Sequence, residues 1–484
     1  MYSLQAHAHV HAVARRAGTI RSVTTSAIAV ALTLAAAGVR ADELSDLRER
    51  LEAQEQKIKV LERKLEINDE AAKAAAASTP VVKAGPKGFN FASADNANQI
   101  RLRGTLHFDG RYFLDDVASD SSDTWLLRRV RPILEGTLYN IFDFRFVPDF
   151  AQGKTVIQEA YGAVRLRPWA VVTAGKFKVP VGLERWMSAN DLKFIERGLP
   201  TNLVPNRDLG VQFGGDIAGG VVQYSVGVFN GVVDGGSSDS QADTELDADR
   251  DWAARIFFQP FLNSDTFALR GLGFGAAATY VDVLGNPANP QLPTYRTPDQ
   301  QAFFRYRGDN TATPLVNEAA YLDGKRLRVT PQAYYYLGSF GALAEYVSVK
   351  QDVSRNPGTG VVTQELENTA YQLELSYFLT GEEATFKGFT PISTFNAGAP
   401  GWGAFEIVAR YGEMEIDRLA FDGGYADPAT QARKVSQYTV GLNWYFNQNF
   451  KWQIDYEYST YQGGAPTGDR PDGEAILTRF AVGF

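Results

Sequence analysis

Gln99–Leu114 reads QIRLRGTLHFDGRYFL, and its side chains alternate. Ile100, Leu102, Leu106, Phe108, Tyr112 and Leu114 fall on one face, while Arg101, Arg103, Thr105, His107, Asp109 and Arg111 fall on the other. A period of two is that of a β-strand. In a soluble sandwich the apolar face of such a strand looks inward to a core, whereas in a transmembrane barrel it looks outward to lipid and the polar face lines water. The last ten residues, AILTRFAVGF, repeat the pattern, with Ile476, Thr478, Phe480, Val482 and Phe484 on one face.

The rest of the chain decides between those directions. Arg15, Arg16 and Arg21 precede the apolar run AIAVALTLAAAGV, and VRA at Val39–Ala41 offers small residues for cleavage, so residues 1–41 read as an export signal. Removing them takes away four arginines and no acid, which moves the net charge from −8 to −12 and argues against nucleic acid as a partner. There is no cysteine, so a disulfide framework and thiolate metal sites are excluded. No later segment has the 18 or so consecutive apolar residues of a membrane helix. An exported chain with 12 % aromatics, 45 glycines, alternating strands and a terminal phenylalanine points to an outer-membrane β-barrel, and that terminal Phe resembles the sorting signal of such barrels.

Three segments follow the signal. In 42–67, Leu44, Leu47, Leu51, Gln54, Ile58, Leu61 and Leu65 step by three and four, a heptad seam that predicts a periplasmic coiled coil joining subunits. Residues 68–89, rich in alanine and containing prolines, are expected as a flexible linker. From Asn90 to Phe484 the period is two, in stretches such as RVRPILEGTLY, TVIQEAYGAVRLRP, AVVTAGKFKV, FGALAEYVSVKQD and SQYTVGLNWYF. These 395 residues, at about 25 per strand with its connection, predict an all-β, 16-stranded antiparallel transmembrane barrel. Short turns such as YFNQNF are expected at the periplasmic end and longer loops outside. The acidic loop Asp234–Asp251 lacks the glycine and closing glutamate of a calcium loop, so it reads as solvated and no metal is expected.

The polar face carries cations. In GKFKVPVGLERW, Gly175–Trp186, alternation sends Lys176 and Lys178 inward and Phe177 outward. The same parity turns Arg101 and Arg103 inward, then Arg129, Arg131 and Glu135, then Arg145, and then Glu159, Tyr161, Arg165 and Arg167. Arg128 falls on the opposite parity, which places it near a rim or a bulge. A row of cations along a water-filled lumen concentrates anions even when the whole protein is acidic. Inward acids on the same faces leave open the reading that these charges pair and merely solvate the lumen.

FDFRFVPDF, IQEAYGAVRLRP, GKFKVPVGLE, SANDLKFIERGLP, ELSYFLTGE, WGAFEIVARYGEMEID, TVGLNWYFNQNF and the closing RFAVGF resemble the phosphate-selective outer-membrane porins O and P, from about Asn90 to Phe484. The resemblance implies a homotrimer in outer-membrane lipid and lipopolysaccharide, needing no cofactor, whose third external loop folds inward. It also implies a central anion site at Arg185, Ser188 and Arg197, with Glu159 as the acid beside it. The family commonly has lysine where Arg185 stands, and a second serine where this chain has Ala189. The implied function is passive diffusion of phosphate or related small anions, with a porin for other solutes as the alternative. A barrel enzyme is disfavoured, because His107 is the one histidine beyond the signal and no serine-centred motif accompanies it.

Overall fold

The computed structural model describes residues 41–114, 122–238, 249–308, 317–396, 398 and 400–484. The expected export signal lies outside the described residues except for Ala41, as does most of the acidic loop, at 239–248. The chain divides into two units, Met1–Thr79 and Pro80–Phe484.

Among the described residues of the first unit, an α-helix spans Ala41–Ser78. Its seam residues Leu44, Leu47, Leu51, Ile58, Leu61 and Leu65 are all exposed. The helix runs past 67 because AAKAAAAS is made of strong helix formers. In the second unit β1 (Val81–Gly85) and β2 (Gly88–Ala92) form a hairpin, with Gly85 paired to Gly88. The stretch 68–89, expected as a flexible linker, is thus mostly helix and hairpin.

The barrel begins with β3 (Gln99–Phe113), β4 (Thr124–Leu138), β5 (Phe142–Asp149), β6 (Val156–Arg167) and β7 (Ala170–Lys178). It continues through β8 (Arg207–Ile217), β9 (Val222–Phe229), β10 (Asp251–Phe258) and β11 (Leu272–Leu284). A separate two-stranded ribbon, β12 (Thr294–Arg296) and β13 (Ala302–Arg305), precedes β14 (Tyr321–Leu337), β15 (Phe340–Arg355) and β16 (Val362–Phe378). The last four are β17 (Ala404–Glu415), β18 (Ala432–Tyr445), β19 (Phe450–Gly463) and β20 (Gly473–Gly483). Each barrel strand pairs antiparallel with the next barrel strand, β11 with β14 across the ribbon, and β20 closes on β3 with Phe480 opposite Phe108. Sixteen strands therefore close the barrel, and the β1–β2 hairpin extends the same sheet along the start of β3. The Gly-rich β8 (DLGVQFGGD) was not among the stretches expected as strands.

Side-chain direction separates barrel from sandwich. Leu106, Phe108, Leu127, Phe213, Val226 and Phe480 are exposed on the outer face, while His107, Asp109, Arg129, Glu345, Gln437 and Asp455 are buried inside. Polar residues point in and apolar residues point out, as a lipid solvent requires. Connections at one end are short, such as 168–169, 338–339 and 446–449, but 379–403 at that end is longer than the expected turn. Trp444 there packs against Phe395, Phe405 and Phe446, an aromatic cluster of the kind found at membrane interfaces.

Arg129 pairs with His107 and Leu127 with Phe108, so Arg128 is the extra residue of a β-bulge, as its parity implied. Lys176 departs from expectation: it pairs with Ala160 and Leu209, on the side opposite Phe177, whose ring meets Tyr161 and Phe229 inside the barrel. Thr173 and Phe177 both line the inner cavity, so the odd residues of β7 face inward straight through Gly175, whose φ of 128° a side chain would strain; a Cβ there would lie 2.3 Å from the Ala160 carbonyl oxygen.

Inside the outer half, Arg328 is fully buried, donating to Asp234 (2.7 Å) and Asp251 (2.9 Å), which stand at the two ends of the β9–β10 connection. Removing one partner of such a group strands the others, at a cost of about 3–5 kcal/mol. Arg328→Ala is expected to lower the temperature at which the folded barrel loses its compact mobility on a denaturing gel, whereas Arg418→Ala, an exposed residue, leaves it unchanged.

Candidate functional site: a cationic passage beside an inward loop

The connection between β7 and β8, residues 179–206, lies inside the barrel. Gly182, at φ 83°, turns the chain into the helical turn Leu183–Trp186. A backbone brought into the lumen needs partners for its N–H and C=O groups, and the inward faces of β15–β20 supply them. Glu345 accepts from the backbone N–H groups of Leu183 (2.6 Å) and Glu184 (3.2 Å), and Asp455 accepts from that of Ile195 (2.7 Å). Lys451 donates to Leu192 O (2.9 Å), Asn443 to Lys193 O (2.8 Å) and Arg410 to Glu196 O (2.9 Å). Arg479 joins Asp109 (2.6 Å) and Glu196 (3.3 Å), so the loop is also tied across the β20–β3 closure.

Against the opposite wall two cavities follow one another. The outer one, of about 440 Å³, is lined by Arg128, Arg129, Arg185 and Arg197 and by loop residues Gly235, Ser237, Arg296 and Thr297. The inner one, of about 390 Å³, is lined by Arg145, Glu159, Lys178 and Ser188. Arg131, Ala189 and Arg207 line both and so mark their junction. A third cavity, of about 910 Å³, lies at the short-turn end and includes Arg101, Arg103, Lys387 and Lys451.

Most cations here are matched by carboxylates. Arg128 donates to Glu196 through Nε (2.6 Å) and Nη2 (3.3 Å), and Arg131 to Asp149 (2.7 Å). Arg145 donates to Glu135 and to Glu159 (2.7 Å), Arg207 to Glu159 (2.8 Å), and Arg103 to Glu135 (3.2 Å). Arg129 donates to His107 Nδ1 (3.0 Å), which leaves the Nε2–H to donate to Asn190 Oδ1 (3.1 Å) on the inward loop. Arg185 and Arg197 differ. Arg185 donates to Thr201 O and leaves its buried Nε without a partner, while Arg197 donates to Glu184 O (3.1 Å) and Met187 O (2.8 Å). Neither has a carboxylate within ion-pair distance among the described residues.

The loop's titrating groups reflect this arrangement. Burial, reinforced by Arg197 and Arg207, lowers Arg185 to about 9, and burial, partly offset by Glu184, lowers Arg197 to about 10. Both stay cationic at neutral pH. Burial would raise Glu196, but Arg128, Arg129 and Arg479 outweigh it and hold the carboxyl well below its ordinary range.

The family model for phosphate-selective porin O and P matches residues 100–484. The chain belongs to that family. That family places it in the outer membrane of the Gram-negative envelope. Porin O of Pseudomonas aeruginosa is 26 % identical over 155 residues, which are 31 % of this chain and 33 % of that protein, so the match spans about a third of the relative's length. Among solved structures, the outer membrane channel DcaP of Acinetobacter baumannii is 14 % identical, with 83 % of this chain and 100 % of that one covered and a TM-score of 0.49. The anion-selective porin from Comamonas acidovorans is 11 % identical, with 80 % and 100 % covered and a TM-score of 0.48.

Within this porin the residues singled out in the sequence separate by position. Arg185 and Arg197 share the outer cavity, Ser188 lines the inner one, and Glu159 stands in the inner one between Arg145 and Arg207. Lys178 reaches the loop, donating to Trp186 O (3.1 Å) and Met187 O (2.7 Å). Arg165, paired with Asp143, and Arg167, which donates to Leu166 O, are exposed beside the short 168–169 turn, away from the two cavities. Sequence reasoning missed Arg207, which touches both cavities. It opens β8 just where the loop ends, so no parity was available to place it.

Glu345→Ala leaves two buried loop N–H groups without acceptors, each worth about 1–3 kcal/mol. Its single-channel records are expected to show larger and noisier conductance than the parent porin, while Glu365→Ala, outside the loop's contacts, keeps the parent level.

Proposed function

We propose that this porin is an anion channel for phosphate or related oxyanions, working as a homotrimer whose outer face sits in the lipid and lipopolysaccharide of the outer membrane. One observation carries the reading: Arg185 and Arg197 bring two guanidiniums to the outer cavity with backbone carbonyls, rather than carboxylates, as their partners. An ion entering from the long-loop side meets these groups before the junction formed by Arg131, Ala189 and Arg207. Guanidinium planes match the two-oxygen edge of an oxyanion. The paired cations beyond, Arg131, Arg145 and Arg207, keep the passage attractive while their carboxylates limit how tightly an anion is held, and weak binding is what conduction needs.

The experiment is single-channel recording in chloride with phosphate titrated in. Phosphate is expected to block the chloride current, and reversal potentials to favour anions. Arg185→Ala with Arg197→Ala is expected to raise the half-blocking concentration by about 10- to 100-fold, the worth of one or two charge-assisted bonds. Unchanged block removes both residues from the site.

The exposed seam of the N-terminal helix supports its part in joining subunits. Deleting 42–67 is expected to lower the temperature at which the trimer band disappears on a gel and to leave the conductance per pore as it was. A deletion mutant with full trimer stability assigns the seam to another partner.

A further inference from the structure

The two cavities differ in one respect that charge does not explain. Among the described residues lining the outer cavity there is no aromatic side chain. The inner cavity, reached past Ala189, is lined by Tyr161, Phe177 and Trp186 together with Ile133 and Val147, facing Arg131, Lys178 and Arg207. Its volume of about 390 Å³ falls in the range of small-molecule sites, roughly 300–1,000 Å³.

The aromatic wall is braced. The Tyr161 and Phe177 rings meet edge to face with centroids 5.9 Å apart, and Phe177 meets Phe229 likewise at 5.4 Å. Behind Trp186, the Arg255 guanidinium stands 5.6 Å from the indole centroid and is itself held over Phe257 at 4.8 Å. The Trp186 side chain is half-buried and makes no hydrogen bond among the described residues. Ring faces carry negative potential, so a bare hydrated oxyanion gains nothing from them, whereas an apolar body gains by leaving water.

We propose that the inner cavity selects organic anions: a carboxylate or phosphate ester whose charged end lies towards Arg131, Arg207 and Lys178 and whose flat apolar body lies against Trp186, Tyr161 and Phe177. This rests on the anion-channel reading above and names the substrate class of the same passage. The outer cavity then captures charge of any kind, and the inner one sorts anions by what the charge is attached to. Ala189 fits this division, since its methyl group rather than a hydroxyl stands at the junction.

The test compares anions of matched charge on the intact porin: acetate against benzoate, and methyl phosphate against phenyl phosphate, each titrated against chloride current in planar bilayers. Benzoate and phenyl phosphate are expected to half-block at concentrations about ten-fold lower than their small counterparts, which corresponds to about 1.4 kcal/mol. In Trp186→Ala, and separately in Tyr161→Leu, that ratio is expected to fall towards one. Equal half-blocking concentrations in the parent porin, with anion preference intact, overturn the organic-anion assignment and leave the anion channel standing; loss of anion preference altogether overturns both. A ten-fold ratio that survives in both variants overturns the assignment to this wall. The parent comparison needs no variant to fold.

Discussion

A loop can lie inside this barrel only because the wall it lies on is polar. Every backbone N–H and C=O carried into the lumen leaves water and must find a protein partner or lose a hydrogen bond's worth of stability. The inward faces of β15 to β20 meet that demand with Glu345, Arg410, Asn443, Lys451 and Asp455, each directed at a named backbone group of residues 183–196. The position of Arg185 and Arg197 follows from that docking, and so does the division of the remaining space into successive cavities.

Charge along the passage is organised by the same economy. Half-buried cations on β4, β5 and β8 are tied to carboxylates, so they add field without adding strong sites. The loop arginines donate to carbonyls of the loop's own turns, which positions the guanidiniums without neutralising them. The bulge at Arg128 serves this pattern as well. By inserting one residue it lets two consecutive arginines, Arg128 and Arg129, approach the same carboxylate, Glu196, from one strand.

Much of the fold was legible because lipid outside and water inside impose strict alternation. Closure by sixteen strands, the helix from the heptad seam and the anomaly at Arg128 could all be read from residue spacing. What failed did so where alternation stops being informative. In β8, DLGVQFGGD, only Leu209, Val211 and Phe213 alternate before the glycines end the pattern, and Arg207 at its start was lost with it. Lys176 was placed on the wrong face because its parity was tied to Lys178, which reaches the cavity only where the strand runs into the loop, whereas Thr173 and Phe177 hold the inward face of β7. The grouping of Arg185 with Arg197 came from family resemblance, and spacing alone could not give it, since their meeting depends on how a folded loop returns on itself. The aromatic wall was invisible for a related reason: Tyr161, Phe177 and Trp186 come from two strands and a loop.

The docking of the loop against β15–β20 leaves the two inner passages bordered by β3–β8 and by loops. On the proposed reading, the cylinder is thereby split into a structural side and a permeation side. Substitutions on the permeation side can retune what passes while the scaffold keeps its shape, and substitutions on the structural side are felt first as a misplaced loop. A barrel with near-uniform hydrogen bonding around its rim thus acquires two halves with separate evolutionary freedom.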